Sequence, residues 1–235
     1  MNSNSLSRPV RIGIRQPFRT TTLSDKDPGF RLIPKAYTDD LDPTAPAGRA
    51  GRYIQLEVTP GEYEPVTFVI YATRDLRQVE IQVSDLHSKA GVPIAASAIE
   101  IRRVVRSPQR LMHRSPPETA EIVNRFLARC KPMDVPKGEF REIWLTLHVP
   151  EDTDAGEYAG KVKIKSAGLE ATLGLYVRVL PFKLVQPKDK SLGLYYNPRF
   201  AWELSPERMR TELADMRAHG LRHDGARLCL VAWIL

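Results

Sequence analysis

Cysteine is almost absent from this chain: Cys130 and Cys229 are the only two among 235 residues, far apart and outside any ligand-like spacing. That excludes a disulfide framework and a cysteine-based zinc site. Histidine is scarce as well. His87, His113, His148, His219 and His223 show no metal-binding spacing, and although the last two stand four apart, Gly220 is placed to end a helix between them. No metal and no cofactor is expected. No window approaches the ~20 apolar residues of a membrane helix, and the opening MNSNSLSRPVRIGIRQPF lacks the apolar core of a signal peptide. Read literally, the sequence predicts a soluble cytoplasmic protein with no membrane partner, and a secreted or periplasmic one if the start of the reading frame is misassigned.

Glycine is outnumbered by proline, 14 against 19, a balance that suits short strands and constrained loops better than long helices. Hydrophobic residues reach 42%, enough for a sizeable core, which excludes global disorder. The net charge of +7 is concentrated in residues 8 to 35 and in a stretch from Arg106 to Arg141. Basic segments attract anions. Aromatic residues are not interleaved with these charges in a stacking pattern, and no nucleic-acid motif accompanies them, so a solvated basic surface is expected rather than a nucleic-acid partner. A polyanion site is the weaker alternative, and it predicts heparin affinity that falls steeply with salt.

Residues 1 to 50 are polar, proline-rich and non-periodic, an extended lead-in with room for one short strand. From residue 51 the period becomes two. Ile54, Leu56 and Val58 alternate in RYIQLEV, and Val66, Phe68, Ile70 and Ala72 share a face of VTFVIYA. The same alternation runs through Val79, Ile81 and Val83, through Ile99 and Ile101, through Ile143, Leu145, Leu147 and Val149, through Val162 and Ile164, and through Leu173, Leu175, Val177 and Val179. Lys161, Lys163 and Lys165 fall on the opposite face of their strand, and Trp144 reads as core. Seven short strands with one apolar face each predict a mainly β fold, an antiparallel, immunoglobulin-like β-sandwich over residues 51 to 187. About thirty Arg- and Pro-rich residues, 107 to 137, read as an insertion or long loop. DTDAG, with Asp152 and Asp154, lacks the remaining ligand positions of a calcium loop and reads as a strand-connecting turn.

At LPFKLVQPKDKS, residues 180 to 191, two prolines and a charged run mark a linker. SLGLYYN then reads as a strand buried on both faces. Ser205, Pro206 and Glu207 supply an N-cap, a first-turn proline and a first-turn acid; Met209, Leu213 and Met216 follow at helical spacing, and Gly220 supplies the stop. A second apolar run, ARLCLVAWIL, starts at once. Strand, helix, strand is the βαβ unit of a parallel sheet.

GEYEPVTFVIYATRDLRQVEIQVSDL at 61 to 86, REIWLTLHVPEDTDAGEYAGKVKI at 141 to 164 and LYVRVLPFKLVQP at 175 to 187 resemble the N-terminal β-sandwich of glycoside hydrolase family 123. SLGLYYNPR and the helix ending MRAHGL resemble the opening of the (β/α)8 barrel that follows it. The resemblance covers roughly residues 50 to 222. It implies β-N-acetylgalactosaminidase or related hexosaminidase activity in a full-length member, with a glycan substrate. In such enzymes the substrate's acetamido oxygen attacks the anomeric carbon, an Asp orients the acetamide, and an adjacent Glu protonates the leaving oxygen. No residue here matches that Asp-Glu pair, because Glu151 and Asp152 stand in the opposite order in a turn.

A barrel takes about 250 residues, and residues 188 to 235 supply only a truncated first βαβ unit. The run RHDGAR interrupts what a barrel strand would make continuous, and a shifted reading frame after about Arg222 accounts for it. The expected chain is therefore an accessory sandwich plus the severed start of a barrel, without catalysis of its own. Tyr195, Tyr196, Asn197, Arg199 and Trp202 follow the first barrel strand, on the face where substrate contacts gather, and are the substrate-cleft candidates. The alternative is a stand-alone carbohydrate- or protein-binding sandwich module. Oligomeric state and sugar linkage are not encoded in any motif.

Overall fold

The computed structural model describes residues 29–38, 51–89, 91–109, 121–185, 205–218 and 221. The chain divides into two compact units, Met1–Lys183 and Leu184–Leu235. The first holds eleven described strands in two sheets: β1 (Phe30–Lys35), β2 (Tyr53–Val58), β3 (Tyr63–Ala72), β4 (Leu76–Val83), β5 (His87–Ser88), β6 (Ile99–Gln109), β7 (Glu121–Arg129), β8 (Met133–Val135), β9 (Phe140–His148), β10 (Gly156–Ser166) and β11 (Leu169–Val179).

One sheet has the order β1-β3-β9-β6-β7, and the other β2-β11-β10-β4-β8 with β5 added against β10. The alternating residues meet between them. Phe68, Ile70 and Ile143 from the first sheet, and Val162, Leu175 and Val177 from the second, belong to one buried cluster at 0–1% exposure. Val162 and Ile164 point inward as the alternation requires, with Lys161 exposed on the other side. Each fully buried aliphatic or aromatic side chain contributes roughly 1.5–3 kcal/mol, so this single core dominates the unit's stability.

Four features depart from the sequence expectation. β2 and β11 pair in parallel, Ile54 opposite Leu175 and Val58 opposite Val179. Alternation reports which face a residue takes and carries no strand direction, so a wholly antiparallel reading had nothing to correct it. The lead-in contributes β1, which pairs with β3 over six residues from Phe30↔Ala72 to Lys35↔Thr67. The stretch read as a loop holds the end of β6, all of β7 and β8, with β6 and β7 joined from Arg102↔Arg129 to Gln109↔Glu121. Finally, Trp144 is half-buried on the sheet face away from the main core; its ring lies 5.7 Å from that of Tyr37, and its Nε1 donates to Thr146 Oγ1 at 3.2 Å.

The face that carries Trp144 has its own buried groups. Ile33 and Val69 form a second cluster with Tyr71 and Phe140 packed against it. Beside them Lys35 Nζ meets Glu142 Oε1 at 2.9 Å, with side-chain exposures of 8% and 2%, and Thr67 Oγ1 donates to the Lys35 carbonyl. Glu142 Oε2 is buried without a hydrogen-bond partner.

Turn chemistry places the strands. TPGE between β2 and β3 has proline then glycine at the centre, Gly61 at φ +82° and the Glu62 amide donating to the Thr59 carbonyl, a type II turn. Ala167 and Gly168, at φ +37° and +86°, form a two-residue hairpin loop between Ser166 and Leu169, the geometry whose twist matches flanking strands. In the second unit, α1 (Pro206–Ala218) starts where expected, the Arg208 amide donating to Ser205 Oγ at 3.0 Å. It ends with the Leu221 amide donating to the Met216 carbonyl, a six-to-one bond of the kind found at helix C-termini. None of its residues is buried.

Candidate functional site

Tyr195, Tyr196, Asn197, Arg199 and Trp202 lie outside the described residues, as do His113, His219, His223 and Cys229. Several other groups singled out in the sequence have structural partners. Glu151 binds Lys183 Nζ at 3.1 Å in the turn after β9. Asp154 lies in the connection between β9 and β10, where its carbonyl accepts from Tyr158 Oη at 3.0 Å, as a turn residue does. His148 stacks on Tyr63, centroids 4.0 Å apart and planes 5° from parallel. Burial pushes the Cys130 thiol up, with Arg103 opposing, so it is a poor nucleophile. Among the described residues no three His, Cys, Asp or Glu side chains gather as metal ligands, and no helix is long and apolar enough to cross a membrane.

Two arrangements on the first unit were not legible in the sequence. The first is Glu64, on the inward-facing side of β3 at its first turn, opposite Leu147. Burial, aided by the charge of Glu62, raises its carboxyl from 4.5 to about 7. Glu62 itself is held away by Thr59, whose amide and hydroxyl both donate to its Oε2, at 2.7 and 3.1 Å. A lone carboxyl that titrates near neutrality has the poise of a general acid. The carboxylate that acts on it is Glu62, two residues away in the chain rather than across a cleft as glycosidic chemistry requires.

The second is an open depression of about 460 Å³ on the outer face of the second sheet. Arg52 and Tyr53 from the start of β2, Lys161 from β10, and Thr172, Gly174 and Tyr176 from β11 line it. Register builds it: Gly174 sits between Tyr53 on one side and Lys161 on the other. Tyr53 and Tyr176 meet edge to face with centroids 5.9 Å apart. A Cβ on Gly174 would stand 2.9 Å from Tyr176 Cε2, so the missing side chain is what lets the Tyr176 ring lie across the strand. Among the described residues no carboxylate lines the depression, which suits it to binding rather than to acid–base chemistry. Sequence alternation put these residues outward, but only the parallel pairing of β2 with β11 brings the two tyrosines together.

Comparison with known proteins bears on the whole unit. The glycoside hydrolase 123 N-terminal domain model matches residues 49–166. Among solved structures, the chain is similar to a family 123 glycoside hydrolase from Clostridium perfringens, described in connection with glycolipid glycan hydrolysis, at a TM-score of 0.64 and 16% identity. That likeness covers 73% of this chain and 32% of the clostridial enzyme, so the chain spans about a third of its length. The CooA pilin subunit of enterotoxigenic Escherichia coli matches at a TM-score of 0.33 and 10% identity, over 66% of this chain and all of the pilin. No curated protein matches. The match over half the chain, from β2 to β10, makes this chain a member of the glycoside hydrolase 123 N-terminal domain family.

Proposed function

We propose that the chain is the accessory β-sandwich and the opening of the catalytic barrel of a glycoside hydrolase that cleaves N-acetylhexosaminides, and that it performs no hydrolysis by itself. The family match over residues 49–166 carries this reading, because it falls on the sandwich and stops before the second unit. The similarity to a third of a family 123 enzyme supports it. An immunoglobulin-like form of the sandwich and a (β/α)8 barrel beginning near residue 188 belong to the same proposal. So do the substrate-cleft roles of Tyr195, Tyr196, Asn197, Arg199 and Trp202, at the end of the first barrel strand.

The chemistry of the described residues supports the non-catalytic part. Hydrolysis of a glycoside needs an acid and either a nucleophile or a substrate acetamide held in place by a second carboxylate. The carboxylate acting on Glu64 is Glu62, two residues away in the chain, and Glu151 pairs with Lys183. Incubating the purified chain with a chromogenic N-acetyl-β-galactosaminide tests the proposal: no turnover is expected, and turnover lost on a point substitution within the chain overturns it.

A further inference from the structure

We infer that the Tyr53–Tyr176 depression is a binding subsite for a pyranose ring bearing a single carboxylate, separate from any hydrolytic centre. The choice of a sugar as the occupant rests on the carbohydrate-enzyme reading above; the shape and charge of the site do not.

The shape comes first. Gly174 leaves the Tyr176 ring lying across β11 with Tyr53 against its neighbourhood edge-on, and Tyr176 stays 45% exposed. An aromatic face carries negative charge and a ring edge positive, while one face of a pyranose is a patch of C–H groups of slight positive charge. The two surfaces complement each other, and a depression of about 460 Å³ falls within the size range of small-ligand sites.

The charges decide which sugar. On this sheet face two of the neighbouring cations are neutralised. Lys163 pairs with Glu170 at 3.2 Å, and Arg178 pairs with Glu57 at 3.2 Å and with Glu157 at 3.6 Å. Arg52 and Lys161, both in the lining, have no carboxylate partner among the described residues, and both are exposed. Two free cations beside a flat ring favour an anionic substituent on the stacked group; a guanidinium binds a carboxylate with two parallel hydrogen bonds. The flanking acids confine that positive field. Glu57 and Glu157 on one side and Glu170 on the other would repel a phosphate chain extending beyond the depression, whereas nucleic-acid grooves track the backbone with many cations. One ring with one negative charge fits; a polyanion does not.

Titrating the full chain, observed by NMR, with a glucuronate disaccharide, sialyllactose, lactose and a single-stranded oligodeoxynucleotide tests the inference. At least one acidic sugar is expected to bind about tenfold more tightly than lactose, and which acid does so identifies the source of the carboxylate. Tyr176→Ala should weaken that binding about tenfold. Arg52→Gln and Lys161→Gln together should erase the preference over lactose, Lys161→Gln alone should reduce it, and Gly174→Val should weaken binding by lifting the Tyr176 ring although no contacting group is removed. Equal binding of lactose and both acids, preferential binding of the oligodeoxynucleotide, or acid binding indifferent to Tyr176→Ala and Lys161→Gln overturns it. This readout is independent of hydrolysis, so a failure here leaves the chromogenic assay to judge the parent reading.

Discussion

The ion pair between Lys35 and Glu142 is withdrawn further from water than the other ion pairs among the described residues. Both side chains are withdrawn from water, and one carboxylate oxygen has no partner. Removing one charge leaves the other buried and uncompensated, which typically costs 3–5 kcal/mol. Lys35→Met is therefore expected to destabilise the protein by about 3 kcal/mol in urea unfolding, and a Lys35→Met, Glu142→Met double substitution to recover most of that loss. Glu64 makes a second prediction with a defined sign. Its carboxyl titrates near 4.5 unfolded and near 7 folded, so between those values unfolding releases a proton and stability falls as pH rises. Glu64→Gln should raise stability above pH 7 by about 1 kcal/mol, an amount reduced for the side chain's partial exposure, and change little near pH 4. Thermal unfolding across that range reads the difference, and a gain confined to low pH contradicts the assignment. Neither residue was legible beforehand. The lysine lay in a stretch without period, and the glutamates gave no sign that β3 is buried on both faces until its neighbours were known.

Among the elements, strands with a run of alternating apolar residues were legible; β1, β7 and β8 were not, although Phe30, Leu32 and Val135 are buried in the core. β10 announces itself because Val162 and Ile164 are buried while Lys161 is exposed. β7 offers no such contrast: Ile122 and Phe126 are exposed at 45% and 60% along with their charged neighbours, and the strand is held by its ladder to β6. A backbone ladder leaves no trace in hydrophobic spacing. Start and stop signals of α1 were legible down to the capping bond at Ser205, since capping is local chemistry. Turns belong to the same local class. The β10–β11 connection needs Gly168 at φ +86°, a conformation that costs a side chain roughly 1–2 kcal/mol. Gly168→Val should lower stability by about that amount in urea, with the slope of the unfolding transition unchanged; a neutral outcome contradicts the turn assignment.

For the whole molecule, the division near Lys183 and the family match over residues 49–166 describe a structural module that carries a binding surface. Length and the Pro-rich linker pointed to two units, and the strand wording pointed to the family, because both are properties of long stretches. The depression could not be read that way. It depends on β2 lying parallel to β11 at a separation of 121 positions, as the Arg178–Glu57 contact does, and non-local pairing of that kind is set by the completed fold. The accessory role is the central claim, and the most direct measurement is the turnover of a chromogenic N-acetyl-β-galactosaminide by the purified, folded chain. The account predicts a rate indistinguishable from the substrate alone, unchanged by Glu64→Gln. Hydrolysis that tracks the protein concentration and disappears in Glu64→Gln, or in any other single substitution within the chain, contradicts it.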